Sequence, residues 1–343
     1  MANVLHTRMF STTGNGAIME DRYRSVHLNL NFCGNVIFLC NYFFFTFANC
    51  IVFIRVYTDM SGMHDRVYCF HGDQCVKMEI DPKFTFVPLN AKFYDGINDK
   101  DTQEYLRKWG LKGNFVIQNF SFNEPFQQYH KYQLADAFFK DATVTRELLS
   151  KQSCAWMKQG IRASSVEIKQ VPCSVLSMSF FDKMKNPNNR IVHNSGMICK
   201  RYDSQIEDFI VSDNLRGMLL DEESEEYNLY SEDEKCEFVF RIFQMLVLGG
   251  ILCQFEDVLQ PYLDITKTIY KDLIRVQKRN TSDDLFVSTL VLEVVAKDDK
   301  DQDYFPSDSD NRQNIAFLLI DANSREITTF IHQYGGYCSA NLN

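Results

Sequence analysis

The 343-residue chain carries 45 acidic against 36 basic side chains, a formal net charge of −9, and its basic residues form no long run. That pattern leaves no footprint for neutralising a phosphate backbone and excludes nucleic acid as a partner. Hydrophobic residues at 45% and aromatics at 14%, with 29 Phe and 16 Tyr, exclude wholesale disorder and supply large side chains for a core.

The first predicted feature in chain order is an uncharged run from Leu28 to Ile54. At about 1.5 Å per residue, Val36 to Ile54 is long enough to cross a bilayer core of roughly 30 Å. Five asparagines in the run, Asn29, Asn31, Asn35, Asn41 and Asn49, argue against hydrocarbon, where their amides would need partners. Phe, Asn, Ile, Cys and Tyr make up 19 of the 27 residues from Leu28 to Ile54, a bias expected from translated T- and A-rich non-coding DNA. Three readings of residues 1–59 therefore stand side by side: a gene-model artefact with Met60 or Met63 as the true start, a membrane anchor, and a buried or private extension. A membrane partner is expected only if residues 28–54 are genuine. A secretory signal fits poorly, because the apolar run begins too far from Met1 and is too long.

Residues 60–83 read as an irregular lead-in, and residues 84–343 as one domain. Phe84 to Leu89 reads as a strand, Asp99 to Trp109 as a helix capped at Gly110, and Phe115 to Phe122 as a half-buried strand. Tyr132–Lys140 and Thr143–Lys151 read as short helices, the second with Thr143 as N-cap. Val166–Val171 suggests a strand and Cys173–Lys185 a helix with a broad apolar face, ended by Pro187. Ser212 is expected to cap a helix reaching Leu220.

After an acidic loop, Ser231 and Glu234 have capping-box spacing. They open a helix whose apolar face, from Phe238 to Leu248, stops at Gly249-Gly250. Pro261 suits the first turn of the next helix, which keeps a period near 3.6 to Ile274. Leu285–Val295, Asn314–Ile320 and Glu326–Tyr334 are rich in β-branched and aromatic residues and read as an antiparallel sheet, with Asp298–Asn311 as an acidic insertion. The expected class is α+β: mixed helices and strands, with the C-terminal antiparallel sheet packed on central helices.

The search for chemistry yields no catalytic constellation, and the chain is read as a non-enzyme without a cofactor. Cys69-Phe-His71-Gly-Asp73-Gln-Cys75 gathers possible metal ligands, but not in zinc spacing, and His71-x-Asp73 lacks the distal His of a facial triad. A metal-dependent enzyme and a membrane-anchored protein are kept as the alternatives. Gly249-Gly250 is no phosphate loop, having no following G-K-[ST]. Glu256 and Asp257, adjacent in sequence, point in different directions and are given no catalytic role. His130, His193 and His332 lie in ordinary contexts, His332 being read as structural. Cys173, after Pro172 at a predicted helix start, would gain thiolate character there, although packing is the ordinary fate of a free cysteine. Eleven irregularly spaced cysteines in so long a chain suit a reducing compartment rather than a disulfide framework. The acidic residues Asp221, Glu222, Glu223, Glu225 and Glu226 are the candidate protein-interaction site, through complementarity to a basic partner surface.

Val171-Pro-Cys-Ser-Val-Leu-Ser-Met-Ser-Phe-Phe181 and Leu248-Gly-Gly-Ile-Leu-Cys-Gln-Phe-Glu-Asp-Val258, continued by Pro261-Tyr-Leu and Ile269-Tyr-Lys-Asp-Leu273, resemble the cilia- and flagella-associated protein 300 family. Phe126-Gln-Gln-Tyr129, Ala137-Phe-Phe-Lys-Asp141, Ile210-Val-Ser-Asp-Asn-Leu-Arg216 and His332-Gln-Tyr-Gly335 add to the resemblance in matching order, so that it covers roughly Phe84 to Tyr334. The resemblance implies a factor of the cytoplasm and the cilium or flagellum (axoneme). Such a factor is needed for cytoplasmic assembly or ciliary transport of outer and inner axonemal dynein arms. Its implied partners are axonemal dynein assembly factors, dynein arm subunits and the intraflagellar transport machinery. It brings no catalytic residues.

Overall fold

Six consecutive apolar residues, Ile315-Ala-Phe-Leu-Leu-Ile320, are all buried, although a strand turns alternate side chains to opposite faces. Both faces of the sheet that holds them must therefore be covered. The computed structural model describes residues 82–152, 155–279 and 283–335, and, before these, only the backbone of short strand pairs such as Tyr42–Phe47 with Cys50–Arg55. The chain divides into two compact units, Met1–Lys83 and Phe84–Asn343. The side chains of the Leu28–Ile54 run and of the Cys69–Cys75 cluster lie outside the described residues.

The second unit, with elements numbered from its start, contains β1 (Phe86–Pro88), α1 (Lys100–Lys108), β2 (Phe115–Phe122), α2 (Lys131–Lys140), α3 (Ala142–Glu147), β3 (Leu149–Gln152), β4 (Ala155–Lys158) and β5 (Ser165–Val171). There follow α4 (Asp182–Lys185), β6 (Lys200–Ile206), β7 (Phe209–Asp213), α5 (Asn214–Leu220), α6 (Glu232–Cys236), α7 (Phe238–Leu248) and α8 (Gln260–Leu273). The last elements are β8 (Val276–Lys278), β9 (Leu285–Val287), β10 (Leu290–Lys297), β11 (Asp303–Phe305), β12 (Ile315–Asp321) and β13 (Glu326–His332). The class is α+β. One antiparallel sheet runs β5-β10-β12-β13-β2-β1, with β11 paired to β10, so the C-terminal strands form its middle and earlier strands its edges.

Alternation sorts the core into two clusters. Ile315, Phe317, Leu319 and Phe330 face α1, α5, α7 and α8, whereas Ala316, Leu318, Ile320, Ile327 and Ile331 face α2 and α3. Phe238 on α7 meets Phe317 edge to face at 5.2 Å, which centres α7 on the sheet.

Several local expectations are corrected. The helix read as Thr143–Lys151 stops at Glu147, and its cap is Asp141, whose carboxylate accepts from the amides of Thr143 (2.7 Å) and Val144 (3.1 Å). The carboxylate of Asp213, not the hydroxyl of Ser212, caps α5, taking the Arg216 amide at 2.9 Å. No long helix fills Cys173–Lys185. Ser177 caps a 3-10 turn, Met178–Phe181, which leads into α4. The residues before it are tied sideways, the Ser174 amide to Glu237 at 3.1 Å and Cys173 Sγ to the Tyr270 hydroxyl at 3.5 Å.

The capping box of Ser231 and Glu234 is present, but its helix, α6, is separate from α7. The Phe238 amide that would continue the ladder donates to Pro172 O at 2.8 Å instead, and Glu237 is extended. The insertion Asp298–Asn311 contains β11. The hairpin β6–β7 is an addition to the expected elements, and its pairing is irregular between Lys200 and Ser204.

Candidate functional site

The stop after α7 does more than end a helix. Gly249 has φ +65° and ψ −171°, a region essentially closed to residues with a Cβ. A Cβ on Gly250 would lie 2.2 Å from Gly110 O, so two backbones touch where no side chain fits. The Gly250 amide donates to Trp109 O at 2.8 Å, and the Gln254 amide to Lys108 O at 2.9 Å. The segment from Gly249 to Leu259 is thereby fastened to the C-terminal turn of α1.

Side chains beneath it complete the seat. Trp109 stacks on Tyr262 at 4.6 Å and donates its indole N–H to Glu256 Oε1 at 3.0 Å. Lys108 Nζ reaches the same carboxylate at 2.7 Å. Arg216, only 2% exposed, bonds Asp213 at 2.5 Å, Val247 O at 3.0 Å and the Tyr262 hydroxyl at 2.9 Å. The Phe255 ring covers that guanidinium, with Cζ 3.3 Å from the ring centroid. On its other side the loop pairs with the chain before β6: Met197 and Val258 form an antiparallel bridge, and the Ile198 amide donates to Asp257 O at 2.8 Å.

This well-tied loop nonetheless exposes Ile251, Leu252, Phe255 and Val258, with Met197 beside them. Leu252 is 89% exposed and has φ +64°. It is the third residue of a turn closed by the Cys253 amide on Gly250 O at 3.2 Å, where Gly or Asn would be less strained. A leucine there serves neither solubility nor local conformation, and rule-breaking of that kind marks functional surface.

The sequence-predicted acidic residues lie on the stretch between α5 and α6. Asp221 pairs with Arg201 at 2.7 Å, and Arg190 pairs with Glu225 and, at 3.1 Å, with Glu226. Glu222 and Glu223 stay exposed. Thus three of the five carboxylates are engaged within the chain and two point to solvent. Glu256 and Asp257 do diverge, the first toward Trp109 and Lys108, the second toward Lys200 at 3.0 Å.

Cys173 sits at no helix start, and burial pushes its thiol up to about 12, the reverse of a nucleophile's activation. His332 is fully buried and holds Gln313 O through Nδ1 at 2.5 Å; burial pulls it down to about 4, so it is neutral at physiological pH. Gln313 in turn donates to Gly249 O, linking His332 to the start of the loop. Nearby, buried Lys151 donates to Asn114 Oδ1 at 2.7 Å and to Gln333 O at 3.2 Å.

Among the described residues no three His, Cys, Asp or Glu side chains are grouped to hold a metal, and no helix is long and apolar enough to cross a membrane. Two concavities, one between α7 and the chain before β12, the other beside Arg275 and Thr328, admit about 10 and 20 Å³, room for a single water. The sequence does not disclose the exposed apolar loop, because Gly249-Gly250 reads simply as a helix stop. The available signal was Ile251-Leu252 directly after it, apolar residues that no helical face could any longer bury.

A family profile described as cilia- and flagella-associated protein 300 matches residues 83–332. The protein of that name from Chlamydomonas reinhardtii is 31% identical over 258 residues, which cover 74% of this chain and 98% of the relative. Its counterpart from Paramecium tetraurelia is 28% identical over 238 residues, covering 69% of this chain and 89% of the relative. No solved structure matches. Because the profile spans most of the chain and one relative is matched almost end to end, the chain belongs to the cilia- and flagella-associated protein 300 family, proteins associated with cilia and flagella.

Proposed function

We propose that this protein is a non-catalytic docking factor for the cytoplasmic assembly, or the ciliary transport, of outer and inner axonemal dynein arms. In this reading it works between cytoplasm and axoneme through contacts with dynein assembly factors, arm subunits and the intraflagellar transport machinery. Residues 84–343 act as the working unit. The observation that carries the reading is the loop Gly249–Leu259, which presents Leu252 and its apolar neighbours on a seat fixed by backbone hydrogen bonds and a buried ion pair. A pre-ordered apolar surface suits partner binding, because little ordering remains to be done on association. Asp221, Glu222, Glu223, Glu225 and Glu226 form a second proposed contact, in which the solvent-facing Glu222 and Glu223 meet a basic partner surface.

The test is deletion of the gene in a motile ciliated cell, followed by electron microscopy of axoneme cross-sections. Loss of outer and inner arms with intact doublets is expected. Axonemes that keep both rows and beat normally would overturn the proposal.

A further inference from the structure

The main sheet ends on two strands of different character. β1 is three residues long and stops at Pro88, whereas β5 runs for seven residues and has β10 as its one strand partner among the described residues. Short length and proline are common protections of a sheet edge, and β5 has neither. Which groups it offers follows from its last rung. In an antiparallel ladder, rungs that exchange two hydrogen bonds alternate with rungs that exchange none. Val171 lies opposite Val291, and a non-bonded rung there would require an N–H from the next residue, Pro172, which has none. Ser165, Glu167, Lys169 and Val171 therefore turn their backbone groups to β10, and Val166, Ile168 and Gln170 turn theirs away. The outward amides and carbonyls of those three residues have no hydrogen-bond partner among the described residues. Val166 and Ile168 pack half-buried against the cluster under α2 and α3, while Glu167 and Lys169 stand exposed on the opposite face. Glu167 reaches Lys297 at 2.7 Å yet remains 65% exposed, and Lys169 makes no ion pair among the described residues.

We propose that two copies of this chain join edge to edge by antiparallel pairing of β5 with β5, about a two-fold axis at Ile168, so that the sheet continues from one molecule into the other. The occupant is named by the spacing of charge. Glu167 and Lys169 lie at equal distance on either side of Ile168, so the two-fold sets Glu167 of each copy directly opposite Lys169 of the other. A lone lysine on an edge repels its own copy; a glutamate placed symmetrically to it reverses the sign. Ile168 then pairs with Ile168 and Val166 with Gln170, using the outward groups of all three residues, with two hydrogen bonds on each rung. The charged pairs fall on the non-bonded rungs, where facing side chains approach most closely. The contact is isologous and closes on itself. It goes beyond the docking reading and does not depend on it.

The test is sedimentation equilibrium of the purified full chain through the micromolar range. The expected result is a concentration-dependent species at twice the 40.1 kDa chain mass. Lys169→Glu sets like charges on the two rungs beside the axis and is expected to raise the dissociation constant about tenfold or more. Adding Glu167→Lys to it restores opposite charges across the axis, and dimerisation is expected to recover. Gln170→Pro removes an outward amide that the chain's own ladder does not use, so pairing is lost while the fold is kept. Melts recorded on the dilute monomer verify that each variant is folded. Two differently tagged copies, expressed together in a motile ciliated cell, are expected to be recovered with each other, and no longer so when both carry Gln170→Pro.

A chain that stays monomeric throughout would overturn the inference. So would a dimer indifferent to Lys169→Glu and Gln170→Pro, because its contact would lie elsewhere. Recovery of another protein without the second copy, in a complex that Gln170→Pro disrupts, would also overturn it and give the edge to an extended segment of that protein. None of these outcomes alters the loop Gly249–Leu259 or the dynein reading, so the two fail separately.

Discussion

The loop Gly249–Leu259 and the stretch Asp221–Glu226 are both surface segments that follow helices, and they use their residues in opposite ways. The acidic stretch looks reactive in composition, yet Arg201 and Arg190 engage three of its carboxylates. The loop looks like an interrupted core segment, yet Ile251 and Leu252 face outward while Glu256 turns in toward Lys108 and Trp109 and Phe255 covers Arg216. Composition names the groups a segment owns; pairing decides which of them remain to meet a partner.

The largest effect expected concerns the seat of the loop. Asp213→Ala leaves Arg216 charged and buried beneath Phe255, which costs about 3–5 kcal/mol and is measured as a fall in the urea midpoint. No comparable loss is expected from Asp221→Ala, whose partner Arg201 is nearer to water. Equal losses would remove the contrast between the two segments.

The next effect reaches the loop from within, through His332, Gln313 and Gly249 O. Burial lowers His332 from 6.5 to about 4, so between those values the unfolded chain takes up a proton that the folded chain does not. Stability is therefore unaffected above pH 6.5 and falls as the pH drops toward 4, by on the order of 3 kcal/mol at the bottom of the window. A series of urea midpoints from pH 7 to 4 should show this slope, flattened in His332→Gln.

Gly249→Ala forces a Cβ into a region that only glycine occupies comfortably, and against Cys253 Sγ at 2.4 Å, for a loss of about 1–3 kcal/mol in the same assay. At the far end of the acidic stretch, Ser231→Ala removes one half of the capping box and costs about 1 kcal/mol. The smallest effect on stability belongs to Leu252→Asp, within about 0.5 kcal/mol, because an exposed side chain is replaced by one that tolerates positive φ better. Thermal melts of the two variants side by side check the order.

How far the fold is legible in the sequence depends on whether local signals decide it. Strand β2, helix α8 with its Pro261, the antiparallel C-terminal strands and the Ser231 capping box are all set by nearby residues, and each follows from periodicity or spacing. The break between α6 and α7 does not, because the bond that causes it runs from Phe238 to Pro172, far back along the chain. Cys173–Ser177 fails as a helix for the same reason, its polar groups being claimed by Glu237 and Tyr270.

The site is less legible still. That Glu225 and Glu226 share Arg190, or that Gly250 abuts Gly110, depends on three-dimensional approach across many residues. Only the exposure of Ile251 and Leu252 left a local trace, the glycine pair just before them.

The most direct measurement compares two cell lines in which the only copy of the gene carries Leu252→Asp or the pair Glu222→Gln and Glu223→Gln, with arm occupancy counted on axonemes by electron tomography at matched protein levels. The expected result is depletion of dynein arms with Leu252→Asp and a smaller loss with the acidic pair. Full occupancy of both rows in the Leu252→Asp line would contradict the assignment of the loop as the principal contact surface.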